Sequence, residues 1–287
     1  MFFVLLISVL AASLNSTVLH KARLSGDRSI YLYNLIGAAV WCISLFAVNG
    51  CRLHLDASIL LWGCIYGMTQ ALLILFKTAA MNQGPVSVTT LIGNCSLLLS
   101  VVGCLILWHE PISLADIGGL ALLLLGIFLT TAKTTGGRFT KKWLICALLF
   151  LVCGAGLGIT FKAFSKSGVG YTGDMMLAAS CVMLATYSFL YMITKERASA
   201  PGIFSKKEKR AFMFTALISG LCSCLYNRLN IYLSGVMDGV IFFPTFNGGV
   251  IVLSTVFSVI LLKEKLSAKQ LAGIIIGIMG IFIIGVL

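Results

Sequence analysis

Carboxamides, hydroxyls and one guanidinium stand inside otherwise apolar stretches of this 287-residue chain. Asn15, Asn94 and Asn247 each lie deep in an apolar run, and so does Trp41. Trp62, Tyr66, Gln70 and Lys77 recur at steps of four, four and seven, which puts them on one helix face. A second stripe, Ser219, Ser223, Asn227, Asn230 and Ser234, is flanked by Tyr226 and Arg228. Polar groups facing hydrocarbon are costly, so both stripes are expected to turn inward, to line a cavity or to bond a neighbouring helix. Amides and hydroxyls both donate and accept, which suits neutral or zwitterionic solutes better than bare ions.

The ionisable residues narrow this chemistry. No Asp or Glu falls in the middle of an apolar run, since Asp174 and Asp238 stand at run ends. A mid-membrane carboxylate is the usual means of attracting organic cations or carrying a coupling proton, so its absence argues against a proton-coupled cation exporter. Lys77 and Lys162 lie close enough to run ends to be expected to snorkel to the interface. Arg228 lies about seven residues from its end, roughly 10 Å at 1.5 Å per residue, so an inward partner or an anionic substrate group is the expectation there. Catalysis is poorly supported. His20, His54 and His109 are far apart and at run ends or in loops. No nucleophile triad, metal-ligand set or P-loop is spelled out, and Gly154-x-Gly156-x-Gly158 sits inside an apolar helix as a packing feature. No enzyme activity, metal or cofactor is expected.

The elements that hold these residues follow from composition. The chain is 59% hydrophobic and 10% charged, whereas soluble domains carry roughly 25% charged residues. Apolar runs of about 20 residues recur, each long enough to cross a hydrocarbon core about 30 Å thick. Ten spans are expected, at 1–19, 30–50, 57–81, 86–108, 113–132, 143–165, 172–194, 210–235, 239–262 and 267–287. The ten cysteines lie largely within these runs and contain no C-x-x-C, so they read as packing residues.

The net charge of +12 is not a nucleic-acid footprint, because the basic residues sit in short loops. The loops after spans 1, 5, 7 and 9 hold sixteen Lys and Arg, against two (Arg52 and Lys166) on the other side. The positive-inside rule then expects a multi-pass protein of the cell membrane with both termini on the non-cytoplasmic side.

Two stretches repeat. Leu107–Thr131 and Leu261–Leu287 superpose with a shift of 154, matching Glu110 to Glu264, Ser113 to Ser267, Gly119 to Gly273 and Gly126 to Gly280. Ser113-x-x-Asp116 and Ser267-x-x-Gln270 read as capping boxes. The paired glycines allow close helix approach. The glutamates read as anchors of the hairpin or, alternatively, as gating or ion-coupling groups. A five-span unit copied in tandem must insert upside down, which expects two inverted halves, residues 1–133 and 140–287.

The Glu110-Pro111-Ile112-Ser113 and Glu264-Lys265-Leu266-Ser267 turns, each followed by a glycine-spaced helix at the end of a five-span half, resemble the ten-helix EamA-type branch of the drug/metabolite transporter superfamily. The resemblance covers essentially the whole chain. It implies an all-α polytopic membrane protein of ten transmembrane helices in two inverted five-helix repeats. In that family the first four helices of each half surround a central cavity and the fifth packs at the side. Its members move small metabolites by alternating access. The resulting expectation is a secondary transporter of a small polar or zwitterionic metabolite. Its expected substrate-binding set is Asn15, Trp41, Tyr66, Gln70, Asn94, Tyr226, Asn227, Arg228, Asn230 and Asn247, and its partners are a small solute and the lipid bilayer, with no nucleic acid. A lipid-linked sugar or phosphate carrier using Lys77 and Arg228, and an intramembrane enzyme or non-transporting structural protein, are the alternatives.

Overall fold

The computed structural model describes residues 1–21, 27–49, 54, 56–84, 86–131, 140–197, 206–262 and 267–286. Among these the chain is helical, in the order α1 (Phe2–Lys21), α2 (Asp27–Val48), α3 (Ala57–Gln83), α4 (Val86–Asn94), α5 (Ser96–Trp108), α6 (Leu114–Thr131), α7 (Lys141–Lys166), α8 (Thr172–Arg197), α9 (Lys206–Val236), α10 (Gly239–Leu262) and α11 (Ala268–Val286). Only helices close every backbone hydrogen bond within one segment, which hydrocarbon demands of a spanning chain. Among the described residues eight stretches are long and apolar enough to cross a membrane, one of them formed by α4 and α5 together, and α6 and α11 are shorter apolar helices. The protein is an all-helical polytopic membrane protein.

The fourth expected span is not one straight helix. At Cys95 the amide reaches both the Leu91 and Ile92 carbonyls at 3.1 Å, so the ladder tightens by a residue and the run divides into α4 and α5. Helix starts follow side-chain chemistry. Asp56 accepts the Ala57 amide at 2.8 Å, and Thr140 accepts the Trp143 amide at 3.1 Å. Both expected capping boxes are formed reciprocally. Asp116 accepts from the Ser113 amide at 2.8 Å while Ser113 Oγ accepts from the Asp116 amide at 3.0 Å. Gln270 and Ser267 do the same at 3.0 and 3.3 Å. Glu264 lies outside the described residues.

The larger packing pairs follow one exchange, with α7–α9 as an exception that has no comparable α1–α3 contact among the described residues. Swapping α1, α2 and α3 with α7, α8 and α9, and α4–α5 with α10, turns α1 on α9 into α7 on α3. It likewise turns α3 on α8 into α9 on α2, and α1 on α10 into α7 on α4 and α5. The pairs α2–α8, α5–α10 and α6–α11 map onto themselves.

The α6–α11 pair is the most extensive in the molecule and runs antiparallel, Gly119 against Gly280 and Gly126 against Gly273. A Cβ at Gly126 would stand 2.7 Å from the Gly273 carbonyl oxygen, and one at Gly280 would stand 2.6 Å from that of Gly119. Backbone touches backbone there, so the matched glycines do serve close approach. The larger apolar core gathers Trp41, Tyr66, Phe161, Met175 and Tyr187 between α2, α3, α7 and α8, and a second gathers Leu5, Val101, Leu233 and Phe242 around α1, α5, α9 and α10.

Candidate functional site

α9 carries the polar interior. Its stripe faces α1 and α3, and three side-chain hydrogen bonds cross between helices. Tyr66 Oη donates to Asn227 Oδ1 at 2.9 Å, joining α3 to α9. Ser8 Oγ donates to Asn230 Oδ1 at 2.6 Å, and Ser219 Oγ donates to Asn15 Oδ1 at 2.5 Å, joining α1 to α9 at two levels. Tyr66 and Asn227 are 0% and 1% exposed, so this bond is made without competing water. The remaining donor of Asn227 turns to the Ser223 carbonyl of its own helix at 2.8 Å.

Rings frame this centre. Trp41 on α2 stacks near Tyr66 with centroids 6.4 Å apart, and Phe161 on α7 lies 5.6 Å from the same ring. The α3 stripe therefore faces inward from Trp62, which meets Phe164 edge-on, through Tyr66 to Gln70. Gln70 is buried one turn beyond Tyr66, and its Oε1 has no hydrogen-bond partner among the described residues. Tyr226 is half-buried, its ring 6.3 Å from Phe246 on α10, and its carbonyl accepts from Ser8 at 3.4 Å.

Four of the sequence candidates stand apart from those bonds. Asn247 donates to the Phe243 carbonyl of its own helix at 2.8 Å, beside Pro244. Asn94 is half-buried at the end of α4, where the run divides. No hydrogen bond joins the two among the described residues. Lys77 is half-buried on α3. Arg228, next to Asn227, lines a different space at the end of the bundle. Ser8 was missed by the sequence reading. Its signal was available, since it lies seven residues before Asn15 and so on the same helical face.

The expectation that Lys162 snorkels is corrected. Lys162 is 1% exposed and forms a salt bridge with Glu110, its Nζ standing 5.8 Å from the centroid of the Trp108 ring. The other oxygen of Glu110 accepts the Gly239 amide at 2.7 Å and that of Val240 at 3.3 Å, capping α10. The carboxylate of the repeated turn thus ties the α5–α6 connection to the end of α7 and the start of α10. Distance from the span end did not decide the matter, because α7 packs alongside α5 and brings the carboxylate within reach of Lys162.

A solved crystal structure overlays 99% of this chain and 98% of its own with a TM-score of 0.75 at 18% identity, a likeness of fold. A protein of Haemophilus influenzae described as uncharacterized is 26% identical over 198 residues, 65% of this chain and 62% of that protein, so the match spans less than two thirds of the relative's length. Over residues 4–287 the sequence matches the family described as Sugar transport protein, and the chain belongs to that family of membrane transporters.

Proposed function

We propose that the chain is a secondary transporter of a small neutral polyhydroxy solute, a sugar or close analogue, moved by alternating access between two inverted halves, residues 1–133 and 140–287. The observation that carries the reading is the buried Tyr66–Asn227 bond between α3 and α9, flanked by Ser8–Asn230 and Asn15–Ser219. Hydroxyls and carboxamides that bond one another across facing helices can exchange those bonds for bonds to solute hydroxyls, at little net electrostatic cost. Gln70 Oε1, buried without a partner, is an acceptor that such a solute would satisfy. Trp41 and Phe161 supply ring faces for the apolar side of a sugar. The matching family, sugar transport, favours a polyol over a zwitterion.

The finer kinship to the ten-helix EamA-type transporters, with both termini on the non-cytoplasmic side, is part of the same proposal. The exchange of helix pairs between the halves and the sixteen-to-two loop charge bias support it. Uptake of tritiated monosaccharides and amino acids into proteoliposomes tests the solute class. Saturable sugar uptake that drops at least tenfold in Asn227→Ala and Gln70→Ala is the expected result. Uptake of amino acids alone, or movement only of lipid-linked sugars, overturns it. A C-terminal reporter active only in the cytoplasm would overturn the orientation.

A further inference from the structure

A cavity of about 590 Å³ opens at the end of the bundle where α2 and α9 finish and α8 begins. Its size suits a mono- or disaccharide, being within the usual range of small-molecule sites. Asn49, His54, Tyr171, Asp174, Arg228 and Tyr232 supply its polar and aromatic lining. Arg228 is the cation of this wall, and among the described residues no carboxylate oxygen comes within 4.0 Å of it. Asp174 is 5% exposed and holds the Asn49 amide at 3.0 Å. A Cβ at Gly173 would run into that amide, so the backbone itself fixes where Asn49 sits.

The aromatic wall is set at a conformational cost. Tyr171 is one of two non-glycine residues with positive φ among those described, at 49°, and it follows Gly168 and Gly170 at 71° and 69°. A tyrosine in the left-handed region is strained, and strain held by its surroundings marks functional positions. The outcome of this loop is a ring stacked on His54, centroids 4.7 Å apart and planes 20° apart, at the cavity rim. Its carbonyl meanwhile accepts the Asp174 and Met175 amides at 3.0 and 3.1 Å, which couples the ring to the carboxylate.

From these observations we infer that the cavity is a sugar-recognition subsite, where a solute is held before or after it meets the Tyr66–Asn227 centre. A guanidinium fork and a carboxylate–carboxamide pair are planar groups that bond two neighbouring hydroxyls at once. Among the described lining residues one cation and one anion leave no net charge, which disfavours ionic solutes. Ring faces cover the C–H side of a pyranose. Asn227 and Arg228 are adjacent on α9, one bonded to Tyr66 and the other lining the cavity, so a single helix borders both places. The inference rests on the sugar-transport reading for its ligand class, and its test separates the two.

Uptake and binding of tritiated glucose, galactose and ribose, with glycine betaine as the zwitterionic probe, are measured on the full chain in proteoliposomes and nanodiscs. Tyr171→Gly removes the ring while relieving the backbone, so folding is kept and the variant remains informative. Tyr171→Gly, Asp174→Asn and Arg228→Gln should each raise KM for sugar at least tenfold with the maximal rate within twofold. Asn227→Ala should lose uptake yet keep saturable sugar binding, which disappears when Asp174→Asn is added. An unchanged KM in Tyr171→Gly, or betaine bound more tightly than any sugar, overturns the subsite. A chain that binds sugar at this cavity but transports none sinks the transport reading and leaves the subsite standing. A chain that binds no sugar at all sinks the subsite.

Discussion

Along α6 and α11 nothing separates the two backbones where Gly126 meets Gly273, whereas between α1, α3 and α9 the helices meet through Ser, Asn and Tyr side chains. The first contact has one solution, because carbonyl against Cα leaves no room for a rotamer. The second is a set of bonds with alternatives, since each amide has further donors and acceptors to offer. A protein that changes shape can use the second kind of contact as its moving part and the first as its fixed part. The repeated residues build the seam, and the unrepeated ones build the polar centre.

The largest expected effect comes from forcing a side chain into the seam. Gly126→Leu places a Cβ 2.7 Å from the Gly273 oxygen and 2.8 Å from Gly277, with further atoms beyond it. Overpacking usually costs about 1–3 kcal/mol, and more where backbone must move. Monodisperse protein should all but vanish on size-exclusion chromatography. Full recovery of folded protein would mean that the seam is not fixed, and the contrast with the polar centre would fail.

Glu110 stands between the two regions. It belongs to the repeated turn, yet its partner Lys162 has no counterpart matched by sequence. Removing one partner of a buried pair costs about 3–5 kcal/mol, while replacing both by apolar or neutral groups is often nearly neutral. Lys162→Met alone should therefore lower thermal stability sharply, and adding Glu110→Gln should restore much of it. Lys162→Met with unaltered melting would make the pair an incidental contact and remove the link between seam and centre.

The architecture was largely legible because it is written in local chemistry. Run lengths gave the helices, the Ser113 and Ser267 turns gave the caps, and the shift of 154 gave the glycine seam. The inward turn of the α3 and α9 stripes was legible for the same reason, as period and polarity alone dictate it. Partners across helices were not legible, since they depend on register between segments far apart in the chain. Asn227 finds Tyr66 at a separation of 161 residues, and Glu110 finds Gly239 at 129. The outer cavity escaped because Asn49 and His54 look like loop residues until α8 packs between α2 and α3. The division at Cys95 was announced only by Gly93 and Asn94 just before it, and an isolated glycine inside an apolar run does not by itself end a helix.

Within the polar centre a milder change separates bond from bulk. Tyr66→Phe keeps the ring packed against Trp41 and Phe161 and deletes only the donor to Asn227. Interhelical hydrogen bonds in membranes average about 0.6 kcal/mol, so the melting temperature should move by only a degree or two. Sugar uptake should fall at least fivefold in the same variant. Unchanged uptake would mean that the bond is structural, and the centre would then resemble the seam.

The smallest effect should come from Asn247. Its depth in an apolar run makes it a candidate for the binding set, but its amide is committed to the Phe243 carbonyl one turn back on α10. Pro244, one residue on from that carbonyl, has no amide to give to Val240 four residues back, so the helix is locally short of one backbone bond. Asn247→Ala should leave uptake within twofold and cost about 1 kcal/mol of stability at most. A tenfold loss of uptake with normal folding would extend the working region from α1, α3 and α9 onto α10. In that case the turn around Pro244 would belong with the polar centre and move with the solute, and α10 would no longer count among the fixed elements held by Glu110.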